Sequence, residues 1–451
     1  MLIIGAARQG LALARYLAGK GARVTLNDGQ NESELRSSVD SLKDLSINWV
    51  LGHHPISLLE GIDIVCPSGG VPLNIPLLAE AKNRGIPFSN DSQIFLSEVK
   101  AKTIGITGSA GKTTTTTLLG EIARKAHNPA YQVWVGGNIG NPLINEVKKI
   151  KSDDLVILEL SSFQLELMTR SPHIALITNI TPNHLDRHGT LEAYTAAKAN
   201  ILNYQSGIDF AILNRDDAGS IALKSIIKGR LVTFGFEPFD KAEDGVFVDG
   251  EGICLQQQGK IRELCRTKDI PLIGKHNLSN TLAAAAASMV LGFDDEIVSD
   301  AINNFKGVPH RLQWIGEWHG IQWIDDSIAT APERSLAAIN AFEQPIVLLL
   351  GGKDKNLPWE KLISRVNEKV DHLIIFGEAA EKINATIESM NFEARFTLDI
   401  CHHLEQAVSI AHQRAKRGDV VLLSPGGTSY DQFKDFEERG EKFKSWVQQL
   451  Q

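Results

Sequence analysis

Three observations predict an α/β fold of three consecutive domains. The chain has 451 residues, room for about three domains at ~150 residues each. Short apolar runs ending in glycine or polar residues alternate with stretches of helical period, the pattern of parallel strands joined by crossover helices. The texture changes over residues 231–273, where short alternating runs take over. The expected architecture is a Rossmann-like N-terminal domain, a central domain with a parallel sheet plus a small antiparallel part, and a Rossmann-like C-terminal domain.

The elements follow in order. Residues 2–4 form the first strand, GAARQG (Gly5 to Gly10) the glycine turn, and Leu11 to Ala18 the following helix. Ala22 to Leu26 is a second strand ending at Asn27-Asp28, which completes the outline of a mononucleotide-binding βαβ unit. Ile62 to Val65 joins the same sheet, and the break at Ile86 to Asn90 places a boundary near 92. A second series runs through Thr103 to Ile106, Leu155 to Leu158, Ile174 to Thr178 and Phe210 to Leu213. Each ends in residues suited to a site at the carboxyl edge of a parallel sheet. The alternation in Gly245-Val-Phe-Val and Ile253-Cys-Leu reads as an antiparallel insertion, and LSNTLAAAAASMVLG as a helix. After Gly307-Val308-Pro309 come the strands Gln322 to Ile324, Ile346 to Leu350, Leu373 to Phe376 and Val420 to Leu423. The domains expected are 1–92, 93–307 and 308–451.

Composition narrows the function classes. With 43% hydrophobic and 22% charged residues, the chain is neither disordered nor fibrous. The longest apolar stretch, Leu282 to Leu291, is about half the ~20 residues that span a bilayer, so no membrane insertion is expected. Met1 leads straight into a core strand without a signal segment, which reads as cytoplasmic. The net charge is 46 − 54 = −8 without a basic run, which argues against nucleic acid as a partner. Cys66, Cys254, Cys265 and Cys401 are scattered without a CxxC pair, against a zinc site or disulfide frame. A monomeric enzyme is the expectation.

The sharpest local signal is TGSAGKTT, Thr107 to Thr114. A strand stops, a glycine-rich bend points N–H groups inward, and a helix N-terminus adds positive potential. The loop lacks the first glycine of GxxxxGK[ST], yet Lys112 can still neutralise phosphate charge and Thr113 can ligate Mg²⁺. Leu155 to Leu158 delivers Glu159 at a strand end, the place of an acid that shares the metal. His184, after Ile177-Thr-Asn-Ile180, could ligate a second ion, although a lone histidine is more often a packing or surface residue. Lys198, on the helical pattern EAYTAAKAN, reads from spacing alone as a solvated lysine.

These blocks belong to an ordered series that resembles the Mur ligases, the ATP-dependent amide-forming enzymes of peptidoglycan assembly. The series is TGSAGKTTT, GGNIGNP (Gly136 to Pro142), LELSSFQLE (Leu158 to Glu166), TPNHLDRH, YTAAKANI, GKHNLSN, PHR, DDSIATAP (Asp325 to Pro332), LLGGKDK and LLSPGGTSYDQFKDFEERG (Leu422 to Gly440). The short N-terminal unit, GGNIGNP, ELSSFQLE and the SYDQFKDFEERG ending are most similar to the branch that adds glutamate to UDP-N-acetylmuramoyl-L-alanine.

The resemblance implies that the central domain is a P-loop ATPase domain and that the substrate carboxylate attacks the γ-phosphorus of ATP. The resulting acyl phosphate is then attacked by the glutamate amine, so covalent activation divides one hard step into two. It implies that Gly108, Ser109, Ala110, Gly111, Lys112, Thr113 and Thr114 cradle ATP, with Asn277 and Asn280 at the adenine and Arg311 and Asp326 at phosphate and ribose. Thr113 and Glu159 would hold one Mg²⁺ and His184 would help bind a second. Lys198, in YxxAK, would carry a CO₂-derived carbamate that also ligates metal. Lys112, Lys198, His184 and Glu159 are thus the implied catalytic set. Arg8, Gln9, Asp28, Asn138, Ser161, Gln164 and His184 match contacts to the UDP substrate, with Ser162 a neighbouring candidate. Thr330, Lys355, Ser429 and Phe436 match the glutamate contacts, with Lys353 the second choice of lysine. For Phe436 by itself, core packing is the better reading. The third domain is expected to swing closed over the reactants.

Two departures stand out. GAARQG lacks the middle glycine of GxGxxG, which weakens a dinucleotide-dependent oxidoreductase as the competing function. Ile328 stands where many glutamate-adding relatives have the lysine of a DSKATN-like block; D-glutamate is the expected amino acid, and L-glutamate the alternative. A folylpolyglutamate-type ligase, another Mur ligase and a non-catalytic nucleotide-binding regulator are the remaining readings.

Overall fold

The computed structural model describes residues 1–126, 131–140, 142–240, 242–272, 274–355, 357–390 and 392–450, apart from the side chain of Asp186. Asn141 of the GGNIGNP block therefore lies outside the described residues. The described strands form three sheets. The first is parallel, in the spatial order Ile47–Leu51, Val24–Asp28, Leu2–Ile4, Val65–Pro67. Its second strand lies further along than the apolar run Ala22 to Leu26 suggests. Register decides this: Leu2 pairs with Thr25 and Ile4 with Asn27, which carries Asp28 to the carboxyl edge, where its carboxylate accepts from Ala6 N at 2.7 Å.

The second sheet runs Lys260–Arg266, Gly252–Gln257, Asp244–Asp249, Arg230–Phe234, Phe210–Asn214, Ile174–Ile177, Lys102–Thr107, Leu155–Glu159, Val133–Gly137. The expected antiparallel insertion is narrower than 231–273. Arg230–Phe234 continues the parallel part beside Phe210–Asn214, and only the two pairings within Asp244–Arg266 are antiparallel. The insertion extends the main sheet. The longest apolar stretch lies in the helix Lys275–Leu291, whose residues from Asn280 to Met289 are all buried. Its run of alanines permits close approach to the helix Lys112–Lys125 and to the strands beneath. No described helix is long and apolar enough to cross a membrane.

These two sheets fall in one compact unit, Met1–Pro271 with Lys275–Phe305; Leu272–Gly274 with Lys306–Gln451 form the other. In the first unit one apolar cluster runs from Ile3, Leu13 and Leu26 through Phe95 to Val156 and Ile177. The chain near residue 92 thus passes through a shared core. In the second unit the order is Gln313–Trp318, Ile321–Asp325, Val420–Gly426, Ile346–Gly351, His372–Phe376, Thr397–Cys401. All its pairings are parallel except that of the hairpin Gln313–Trp318 and Ile321–Asp325. Apolar clusters cover both faces, as a parallel sheet requires. Four strands here and in the first unit have no counterpart among the expected elements: Ile47–Leu51, Val133–Gly137, Gln313–Trp318 and Thr397–Cys401. Each is an edge strand of its sheet, paired on one side.

Candidate active site

The phosphate loop joins the strand Lys102–Thr107 to the helix Lys112–Lys125. Two glycines shape it. Gly111 has φ +82°, and a Cβ there would stand 2.1 Å from Asn280 Oδ1; at Gly108 it would stand 1.9 Å from Thr178 Oγ1. No larger residue fits either place without displacing its neighbour. The helix N-terminus leaves backbone N–H groups directed at the bend. Lys112 folds back, donating from Nζ to Gly108 O at 2.8 Å and to Ser109 O at 3.3 Å. Ser109 itself is held by Tyr194 Oη, which donates to its Oγ at 3.0 Å, and Ala110 N donates to Asn179 Oδ1 at 2.9 Å.

Thr113 Oγ1 donates to Glu159 Oε2 at 2.8 Å, and Asn138 Nδ2 donates to Glu159 Oε1 at 2.8 Å. Glu159 closes its strand as the sequence suggests and is buried. The hydroxyl and the carboxylate form a hard-oxygen pair at the mouth of the loop, which suits Mg²⁺, an ion that keeps waters and phosphate oxygens as its other ligands. Among the described residues no group of three or more His, Cys, Asp and Glu side chains is placed to hold a metal. His184 is not at a strand end: it is exposed, at φ +52°, at the start of the short helix Leu185–His188. Its ring lies 5.1 Å from that of Phe163.

Lys198 departs furthest from a solvated lysine. It is 1% exposed, with Nζ donating to Gly108 O at 2.8 Å and Thr107 Oγ1 at 3.3 Å. Burial holds its pKa well below the ordinary lysine value; the charge of Lys112 adds to the depression and Glu159 opposes it. Ala197, Ile201 and Leu202 of the same helix are buried with it.

Several residues with expected substrate roles have protein partners. Asp28 accepts from Ala6 N and, at 2.9 Å, from Gln30 N. Arg8 Nη2 donates to Asn138 O at 3.5 Å, and Gln9 Nε2 is buried without a hydrogen-bond partner. Gln164 is fully engaged: its Oε1 accepts from Ser161 N and Oγ, and its Nε2 donates to Ser92 Oγ. Asn90 Nδ2 donates to Gln164 O at 2.7 Å while its Oδ1 caps the next helix. Gln164 therefore orients Ser161, and Asn90 and Ser92 hold Gln164. Neither had drawn attention in the sequence, where both look like loop polar residues. Arg187, also unmarked, donates to Gly70 O and Val71 O and lies over the Phe163 ring; Arg187, Phe163, Glu166 and Asn74 help line a cavity of about 260 Å³. Asn280 sits against Gly111 and donates to Asn277 Oδ1 at 3.3 Å.

In the second unit, loops at the carboxyl ends of three strands converge. Lys355 Nζ approaches Thr330 Oγ1 at 3.5 Å. Lys353 points instead to Glu378, 3.6 Å away. Burial, then Arg334 and Arg439, lower the Lys355 pKa. Ser429 is buried, and Phe436 opens the helix Phe436–Gln448 with its ring 6.3 Å from His310. Asp326 is buried rather than open, accepting from Ser424 Oγ at 2.8 Å and Leu312 N at 3.2 Å. Burial pushes its carboxyl up to about 7, against those bonds and the charge of neighbouring Arg311, and with the help of Asp325. His310 pairs with Asp325 at 2.7 Å; burial disfavours its charged ring, but the Asp325 bond and charge leave its pKa raised.

Comparison with known proteins matches this chain in three places. The Mur ligase MurD-like N-terminal domain matches residues 1–89, the Mur ligase middle domain 106–288, and the Mur ligase, glutamate ligase domain 310–427. The chain belongs to the Mur ligase family. Mur ligases named UDP-N-acetylmuramoylalanine--D-glutamate ligase are similar to it end to end. That of Clostridium tetani is 37% identical over 99% of this chain and 96% of its own. Those of Pelotomaculum thermopropionicum and Symbiobacterium thermophilum are 38% and 39% identical, each over at least 99% of this chain and 97% of theirs. Two solved Mur ligases from Thermotoga maritima share the fold. MurC has a TM-score of 0.57 at 20% identity, over 100% of this chain and 99% of that one. MurF in complex with ADP has 0.55 at 17%, over 96% and 98%.

Proposed function

We infer that this Mur ligase joins D-glutamate to the carboxyl of UDP-N-acetylmuramoyl-L-alanine, cleaving ATP to ADP and phosphate, in peptidoglycan precursor synthesis in the cytoplasm. The observation that carries the reading is the end-to-end identity with ligases bearing that name. In this reading residues 1–92 take the UDP substrate, 93–307 the ATP and 308–451 the glutamate, in a protein acting as a monomer.

The residues support the chemistry. Carboxylate and triphosphate repel, so the site must supply positive charge where they meet. Lys112 and the N-terminus of the helix Lys112–Lys125 do so from the loop, and Asn277, Asn280 and Arg311 are the further nucleotide contacts of this reading. Thr113 and Glu159 would hold one Mg²⁺ and His184 would help bind a second, and the metal would supply further neutralisation of phosphate charge. The neutral amine favoured at Lys198 is the form that adds to CO₂ and releases a proton, giving a carbamate. Lys355 carries the cation, and Thr330 and Ser429 the hydroxyls, for the two carboxylates of glutamate, with Phe436 beside them.

The test is ADP release by purified protein with Mg²⁺ and ATP, adding UDP-N-acetylmuramoyl-L-alanine and D-glutamate singly and together. Release that needs both supports the reading; release with either alone, or none, overturns it. An arm with L-glutamate separates the two stereoisomers, and one with folate the related ligase.

A further inference from the structure

The second unit buries a cation that the reaction above does not use. Arg439, on the helix Phe436–Gln448, is 0% exposed. Its Nε donates to Ser327 Oγ at 2.9 Å, Nη2 to Ser327 O at 2.8 Å and Nη1 to Gly427 O at 3.1 Å. These partners are neutral oxygens, while Asp325, Asp326 and Asp431 act on it through their charges. Burying a guanidinium against carbonyls is unfavourable, and neutral side chains could join a helix to loops without that penalty.

The three loops it touches are the ones that carry Thr330, Lys355 and Ser429. Ser327 lies in the loop of Thr330, and Gly427 in that of Ser429. At Gly352, in the loop of Lys355, a Cβ would stand 2.8 Å from Arg439 Nη1. The Ser327 hydroxyl, which accepts from Arg439, donates to Phe436 O at 2.8 Å, so the fourth proposed glutamate contact hangs on the same node. We propose that Arg439 is a positioning residue for the amino-acid substrate: its planar fork sets the spacing of three loops, and its charge lies behind the hydroxyls and lysine that meet the carboxylates. Lysine cannot reproduce this, because an ammonium lacks the fixed divergent donors that reach Ser327 and Gly427 together.

The inference rests on the reading that this unit binds glutamate. Its test is the set of KM values for glutamate, ATP and the UDP substrate, with kcat and thermal unfolding, in full-length Arg439→Lys, Arg439→Met and Ser327→Ala. The glutamate KM should rise about tenfold in Arg439→Lys, more in Arg439→Met and about threefold in Ser327→Ala, with the UDP-substrate KM within about twofold of wild type. If Arg439→Met fails to fold, the other two variants decide. An unchanged glutamate KM in both, or a fall in kcat with all KM values unchanged, overturns the inference while wild-type turnover leaves the reading standing. Wild-type protein without glutamate-dependent ADP release overturns the reading and the inference with it.

Discussion

Two lysines converge on one carbonyl: Gly108 O accepts from both Lys112 and Lys198. The two differ in burial, since Lys112 stands at the mouth of the loop and Lys198 lies inside it. Lys198→Ala should lower turnover by at least about a hundredfold, with part of it restored by added formate or acetate. ADP release measured with and without the added acid checks this, and undiminished turnover in the variant would refute the role. Asp326 offers a second test through stability. Its folded pKa is raised to about 7, so between the usual aspartate value and about 7 the native state holds a proton that the unfolded chain has lost. Stability therefore falls as pH rises through that window and levels off above it, by on the order of 4 kcal/mol from this group. Asp326→Asn cannot ionise and should flatten that fall, read as melting temperature against pH from 4 to 8. A parallel decline in variant and wild type would count against the buried carboxyl.

At the scale of elements, glycine and asparagine define how the loops meet their neighbours. Gly111→Ala would force a side chain into Asn280 at a backbone angle that L-residues rarely adopt. Nucleotide binding, followed by titration calorimetry with Mg²⁺ and a non-hydrolysable ATP analogue, should weaken by at least about tenfold, a shift of about 1.4 kcal/mol. Asn90 both caps the helix Asp91–Glu98 and donates to Gln164 O. Asn90→Ala should destabilise the protein by about 2 kcal/mol, the sum of a lost cap and a buried carbonyl left without its donor. Urea unfolding measures that loss. Because Gln164 orients Ser161, the UDP-substrate KM should rise in the same variant, whereas a KM that stays put would separate the node from substrate binding.

For the whole molecule, the division into two compact units, each with its own cores, predicts two calorimetric transitions rather than one. A single transition matching its own van't Hoff enthalpy would argue against separate units. The net charge of −8 argues against a polynucleotide but says nothing of nucleotides, since anionic substrates such as those proposed would be met by local cations.

How much was legible followed from the distance over which each signal acts. Strand ends, the phosphate loop and the Glu159 position are written in neighbouring residues, because the turn from strand to helix is a local steric and hydrogen-bonding event. The family blocks, in their order along the chain, imply the rest of the proposed chemistry. The roles of Asn90, Ser92 and Arg439 were not legible. Asn90 and Ser92 bond to Gln164, 74 and 72 residues away, and Arg439 bonds to Ser327, 112 residues away; a polar side chain on a loop or helix looks solvated until such partners are placed. Lys198 shows the same limit in its partner Gly108, 90 residues distant. By itself the sequence determined the α/β class, the phosphate loop and the family. Only the tertiary structure decided which polar groups are buried, because burial and hydrogen-bond satisfaction belong to the packed chain and not to any local stretch of it.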